Sequence, residues 1–215
     1  MKSELSPVHV TDHKNGKLQG FSSVSTASWL NPFCKAMQEN QNAVCSRCYT
    51  NKPYVKMRKW LVKALEANYD YLTSHEMTDE EAAAVPIHTL VCRLEAFGEA
   101  KSVLHAANLV RIAKMHPLTT FAVWTKRPQK YISVFNVFGK PDNLRFIVSS
   151  PMLNKQIPYD KIPKYTDRVF TVWEKDKVPE GLRINCRGKK CATCKLCYNP
   201  KRYDQQDVYI NELLK

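Results

Sequence analysis

The feature that most limits the folds open to this chain is a serial alternation of short apolar runs with longer stretches patterned at helical spacing. Leu18 to Ser28 (LQGFSSVSTAS) reads as a first strand, ended by Asn31-Pro32. Pro53 then opens a helix to about Ser74, with Trp60, Leu61, Ala64, Leu65, Tyr69 and Leu72 along one stripe. Asp79 to Ala84 is a connecting turn of helix ended by Pro86, and Ile87 to Leu94 (IHTLVCRL) reads as a buried strand. A helix over Ala100 to His116 stops at Pro117 and leads to the strand Thr119 to Thr125. Pro128 opens a third helix, carrying Tyr131, Ile132, Val134, Phe135 and Phe138 and ended by Gly139. Leu144 to Ser149 is the next strand. The Pro-rich stretch Pro151 to Pro163 is loop, and Arg168 to Trp173 and Gly181 to Asn185 are two further short strands.

Three strand-helix units in series, with apolar rather than alternating strands, predict an α/β fold with a parallel sheet covered on both faces. The expected architecture is a (βα) partial or closed TIM-barrel-like fold of about six strands, with functional groups gathered beyond the carboxyl ends of the strands. At 215 residues the chain is expected to form one domain, 1–215. It has cysteine-rich segments at both ends, 29–52 and 186–202.

Eight cysteines carry the chemistry. The start, MKSELSPVHV, lacks the apolar run of a signal peptide, and nothing approaches a membrane-spanning length, so a cytoplasmic location is expected with no membrane partner. Disulfides are disfavoured there, which leaves metal or redox chemistry. Cys186, Cys191, Cys194 and Cys197 are spaced C-x4-C-x2-C-x2-C, intervals found in ferredoxin ligand runs. Four thiolates so close in sequence predict an iron-sulfur centre, 4Fe-4S above all, with zinc as the alternative metal. Cys34, Cys45 and Cys48 form a second group that leaves one coordination position open to a small-molecule ligand. Either each group holds its own cluster or Cys45 and Cys48 share one site with two C-terminal cysteines. Cys92, within an apolar strand, is expected to be a buried structural thiol.

Cys45-Ser-Arg-Cys48-Tyr49, the strand-loop RLEAFGE at Arg93 to Glu99 and the terminal cysteine run together resemble radical S-adenosylmethionine enzymes, and more closely a bacteriophage family known only as gene product eighty-eight. The resemblance to the radical enzymes implies a 4Fe-4S cluster on Cys34, Cys45 and Cys48, with S-adenosylmethionine on its open iron. It also implies that Phe97, Gly98 and Glu99 bind that cofactor, the glutamate receiving its amino group. The first cysteine interval is ten residues rather than the usual three, and one glycine stands where the radical enzymes have two.

Formal net charge is +13, from 33 basic and 20 acidic residues, with concentrations at Lys52 to Lys63, Lys126 to Lys130 and Arg187 to Lys195. Such a field attracts nucleic acid or an anionic small molecule. The alternatives to a radical-type iron-sulfur protein are therefore a zinc-cysteine nucleic-acid-binding protein and a non-catalytic carrier of electrons or sulfur serving a redox partner. Arg93, Glu95 and Glu99 lie at a strand end, where burial demands a partner: a ligand for Glu99, or an Arg93 to Glu95 ion pair. Trp124 to Arg127 and Ser149-Ser150 are further donors expected on that face. The six histidines show no metal-ligand spacing, and P-loop, nucleophile-elbow and dinucleotide motifs are absent.

Overall fold

The computed structural model describes residues 6–186, 188, 190–199 and 208–214. Its centre is a seven-stranded sheet in chain order: β1 (Val10–Asp12), β2 (Ser22–Val24), β3 (Val91–Leu94), β4 (Thr120–Thr125), β5 (Leu144–Ser149), β6 (Arg168–Trp173) and β7 (Tyr209–Leu213). All neighbours are parallel except β1, which pairs antiparallel with β2. The helices are α1 (Pro32–Glu39), α2 (Pro53–Lys56), α3 (Lys59–Ser74), α4 (Asp79–Ala83), α5 (Val103–Met115), α6 (Pro128–Phe138) and α7 (Cys191–Cys194).

The long helices α3, α5 and α6 that connect these chain-order strands lie on the same side of the sheet. The packing follows. Cys92, Leu94, Phe121, Val123, Leu144, Phe146 and Val148 face Leu72 of α3, Leu109 and Ile112 of α5, and Tyr131, Val134 and Phe135 of α6 in one continuous core. Cys92 is buried there, as its apolar strand predicts. Asn108 of α5 ties α3 and α4 together, donating to Leu72 O and His75 O and accepting from the Met77 N–H.

The opposite face carries Ala122, Trp124, Ile147 and Phe170, covered by Phe21, Tyr198, Cys191 and Cys197 instead of by long helices. Both faces are thus covered, as expected, but by unlike material.

Three expectations are corrected. β1 and β7 are the two edges of the sheet, so it does not close into a barrel. Gly181 to Asn185 is not a strand: only Cys186 bridges β7, opposite Glu212. The Asn185 side chain stands in for a ladder there, accepting from Asn211 N–H (2.8 Å) and donating to Tyr209 O (2.9 Å). The long helix from Pro53 is interrupted, because Met57 and Arg58 separate α2 from α3. Residues 200–202 of the C-terminal cysteine-rich segment, and Arg187 and Lys189 of its basic concentration, lie outside the described residues.

Candidate functional site

The first cysteine group stands at the carboxyl ends of β2 to β5. Asn31 caps α1 by accepting the Phe33 N–H (3.0 Å), and its amide donates to Glu99 O (2.7 Å), which fixes the helix carrying Cys34 over the loop after β3. Farther on, Val44 N–H donates to Pro151 O and Leu153 N–H to Asn42 O, anchoring the next loop beyond β5. Cys45 and Cys48 follow on one tight turn, Cys48 N–H donating to Cys45 O (3.0 Å). Cys34 is buried and the other two are half-buried.

Lys126, one residue past β4, is the cation whose charge acts on the Cys45 thiol. Burial pushes the Cys34 thiol well up, helped by Glu99 and Cys45, with Lys126 opposing. Burial also raises Cys45, which Lys126 again pulls down. The site thus holds three thiols, one acid and one ammonium that favours thiolate.

The segment Phe97, Gly98 and Glu99 borders this group. Glu99 is buried, and its carboxyl accepts from Thr125 Oγ (2.7 Å), Lys126 N–H (2.7 Å) and Ala100 N–H (3.0 Å). Burial raises its pKa against the pull of Lys126 and these donors. It therefore clips the β3 loop to the end of β4. Gly98 is held tightly: a Cβ there would lie 2.2 Å from Glu95 Oε2, 2.4 Å from Thr26 Oγ1 and 2.8 Å from Thr26 O.

The expected Arg93 to Glu95 pair is not made. Glu95 takes a left-handed backbone (φ 53°), which turns its carboxyl to the helix side of the sheet. There it accepts from Thr26 N–H (3.2 Å) and Thr26 Oγ (2.9 Å). His105 Nε2 lies 3.0 Å from it, off the line of a good hydrogen bond. His105 Nδ1 accepts the Lys101 N–H, so Nε2 carries the proton. Arg93 remains on the other face, its guanidinium 4.2 Å over the Trp124 ring.

The second group does not sit at the same end. With no strand leading into Cys186, the group lies over the open sheet face, beside the hairpin 13–21 that precedes β2. Lys17 Nζ donates to Cys186 Sγ (3.3 Å) and Glu212 Oε1 (2.6 Å), and Cys191 N–H donates to Lys17 O (2.8 Å). Burial alone would lower the Lys17 pKa, but Glu212 and Cys186 hold it above the ordinary value. Burial pushes Cys197 up to about 12, aided by Cys186 and Cys191, while Arg93 opposes. Cys191 rises for the same first reason, with Lys17 and Arg93 opposing. Tyr198 anchors the segment, edge-on to Phe21 (5.0 Å) and Trp124 (5.8 Å).

The structure thus assembles the seven cysteines as two neighbourhoods with different charged partners, Glu99 and Lys126 for one, Lys17 and Arg93 for the other. Among the described residues, no three His, Cys, Asp or Glu side chains converge tightly enough to hold a single metal ion.

The other expected donors are engaged internally: Ser150 Oγ donates to Met152 O and Lys155 O, and Arg127 to Ala100 O and Lys101 O. Lys17, Asn31, Thr26 and His105 escaped sequence reasoning, since none stands at a motif spacing. Lys17 had a faint signal, as one of two cations, with Lys14, in a turn before the first expected strand.

The sequence model of the family described as Gene product 88 matches residues 11–207, a span that includes both cysteine groups. The chain belongs to the gene product 88 family. No curated protein and no solved structure matches it. Among the described residues of this gene product 88 chain, no helix is long and apolar enough to cross a membrane.

Proposed function

We propose that this gene product 88 protein binds iron-sulfur clusters, most simply 4Fe-4S, at two separate centres. One is held by Cys34, Cys45 and Cys48 and leaves an iron open to a small-molecule ligand. The other is held by Cys186, Cys191, Cys194 and Cys197 and is closed. The observation that carries the reading is that seven of the eight cysteines stand in two neighbourhoods, a set of three beside Lys126 and a set of four beside Lys17.

The donor chemistry fits such a group. Both sets offer thiols only, with a lysine at hand to offset thiolate charge, Lys126 in one case and Lys17 in the other. A single zinc ion needs thiolates about 2.3 Å from one point. The dense run Cys191, Cys194 and Cys197 is more typical of a cubane cluster than of the separated cysteine pairs that zinc takes, which favours iron-sulfur here. When bound, such clusters supply one-electron chemistry and, at an iron without a thiolate, a position for a chelating ligand.

S-adenosylmethionine is the ligand that the resemblance to radical enzymes implies for the open position. In this chain Glu99 contributes by fixing the β3 and β4 loops beneath the site, with three protein donors on its carboxyl, and Lys126 contributes the cation that would meet a ligand's anionic group.

Anaerobic iron and sulfide analysis of the wild type beside Cys48→Ala and Cys194→Ala tests the reading. Brown protein absorbing near 400 nm is expected, with each variant losing the share of one site. Loss of all iron in both variants would mean one shared site. Colourless protein carrying stoichiometric zinc and no iron would overturn the iron-sulfur reading.

A further inference from the structure

We infer that the exposed strip from Arg47 to Lys63 is a docking surface for single-stranded nucleic acid. From Asn40 to Leu65 the chain carries six basic residues and no acidic one. Arg47, Lys52, Arg58, Lys59 and Lys63 are all exposed. Among them stand three large apolar side chains open to solvent: Met57 (78%), Trp60 (62%) and Tyr49 (44%). Nothing in the core requires Trp60 to be where it is, because α3 already buries Leu61, Leu65, Tyr69 and Leu72 on its inner side.

Cations tracking a backbone, interleaved with aromatic rings on which bases stack, are the two components of sequence-tolerant single-strand binding. The local field is not relieved by its own scaffold. The first turn of α3 has no acidic residue, and no side chain caps it, so its positive pole adds to Arg58 and Lys59 instead of being offset. Glu66, the first acid after the strip, accepts from Trp29 Nε1 (2.9 Å).

The shape selects among polyanions. The exposed cations and rings stand on the loop from Arg47 to Lys52, on Met57 and Arg58, and on the first turns of α3, with no long helix face given over to a duplex groove. Ring faces are useful only to unpaired bases. An anionic membrane would need a continuous apolar face on an interfacial helix, and α3 has turned its own inward. Tyr49 links the strip to the first cysteine group, its ring edge-on to Phe97 (5.7 Å) and its hydroxyl donating to Ala96 O. A bound strand would thus run along the rim of that site.

The test is fluorescence anisotropy with a fluorescein-labelled oligodeoxythymidine over a range of salt, using the full chain as purified. The logarithm of affinity should fall linearly with the logarithm of salt concentration. Arg58→Gln with Lys59→Gln should reduce that slope by about 1.4, roughly 0.7 for each phosphate no longer neutralised. Lys14→Gln with Lys114→Gln, exposed but at the amino-end side, should leave it unchanged. Trp60→Ala should weaken binding about ten-fold and Trp60→Phe should restore most of it. No binding, equal slope changes from the two charge pairs, or equal or tighter binding to phosphatidylserine vesicles would each overturn the inference. Metal content is a separate readout, so the iron-sulfur reading and this one can fail independently.

Discussion

Replacing Gly98 by alanine separates two reasons for a glycine at that position. If the residue is there to let a ligand approach, the metal-free protein should tolerate a methyl group. The structure argues otherwise, since the new Cβ would overlap Glu95 Oε2 at 2.2 Å, Thr26 Oγ1 at 2.4 Å and the Thr26 carbonyl oxygen at 2.8 Å. The last of these is backbone and cannot rotate away, so the Glu95 carboxyl must leave Thr26. Both residues are buried, and the move strands the Thr26 N–H and hydroxyl. Leaving a buried polar group unpaired costs about 1–3 kcal/mol, so about 3 kcal/mol is expected for the pair of donors. For a chain of this size that is a fall in Tm of roughly 6–12 °C. Urea unfolding of metal-free protein should show the loss as a lower midpoint with an unchanged slope. Gly16→Ala is the comparison: its φ is +76° with nothing within 4 Å, so only the left-handed backbone cost of about 1–2 kcal/mol applies. Gly98→Ala within about 1 kcal/mol of wild type, with only ligand or metal uptake impaired, would refute the reasoning.

Asn108→Ala should cost about 3 kcal/mol in the same unfolding assay, because it orphans Met77 N–H, Leu72 O and His75 O at one stroke. Glu81 should titrate at about 2 by NMR, held down first by the Thr78 N–H and then by His75. A lowered acid pKa stabilises the fold above the ordinary value of 4.5 and ceases to do so as pH falls towards 2. The stability difference between wild type and Glu81→Gln should therefore be present at neutral pH and shrink across that interval. Lys126→Met should slow alkylation of Cys45 in metal-free protein by about three-fold, read by peptide mass spectrometry, since the cation that favours its thiolate is gone.

The middle of the sheet was legible because its strands are continuous apolar runs: β5 and β6 begin and end where LRFIVS and RVFTVW do. The edges were not. β1 is only Val-Thr-Asp, and β7, Tyr-Ile-Asn-Glu-Leu, reads as polar because Asn211 and Glu212 serve as partners of Trp173 and Lys17. The strand expected before Cys186 failed where a side chain, that of Asn185, replaced backbone pairing, which no periodicity reports. In the candidate site the cysteine groupings were readable from spacing alone. Their separation was not, as it depends on that missing strand. The fate of Glu95 turned on one left-handed residue that the sequence does not flag, as positive φ is uncommon outside glycine, asparagine and aspartate.

The cover over the second sheet face also governs the order in which the chain can finish folding. Lys17 meets Cys186 across 169 residues and Glu212 across 195, and the Tyr198 ring seals against Phe21 and Trp124. Contacts of such separation close late. During synthesis the helical side of the sheet can assemble as α3, α5 and α6 emerge, while Ala122, Trp124 and Ile147 wait uncovered until the segment from Cys191 to Tyr198 has been made. Whatever ties Cys191 and Cys197 together therefore also acts as a late latch on the nascent protein, and chains stopped short of it would expose an apolar sheet face to every neighbour.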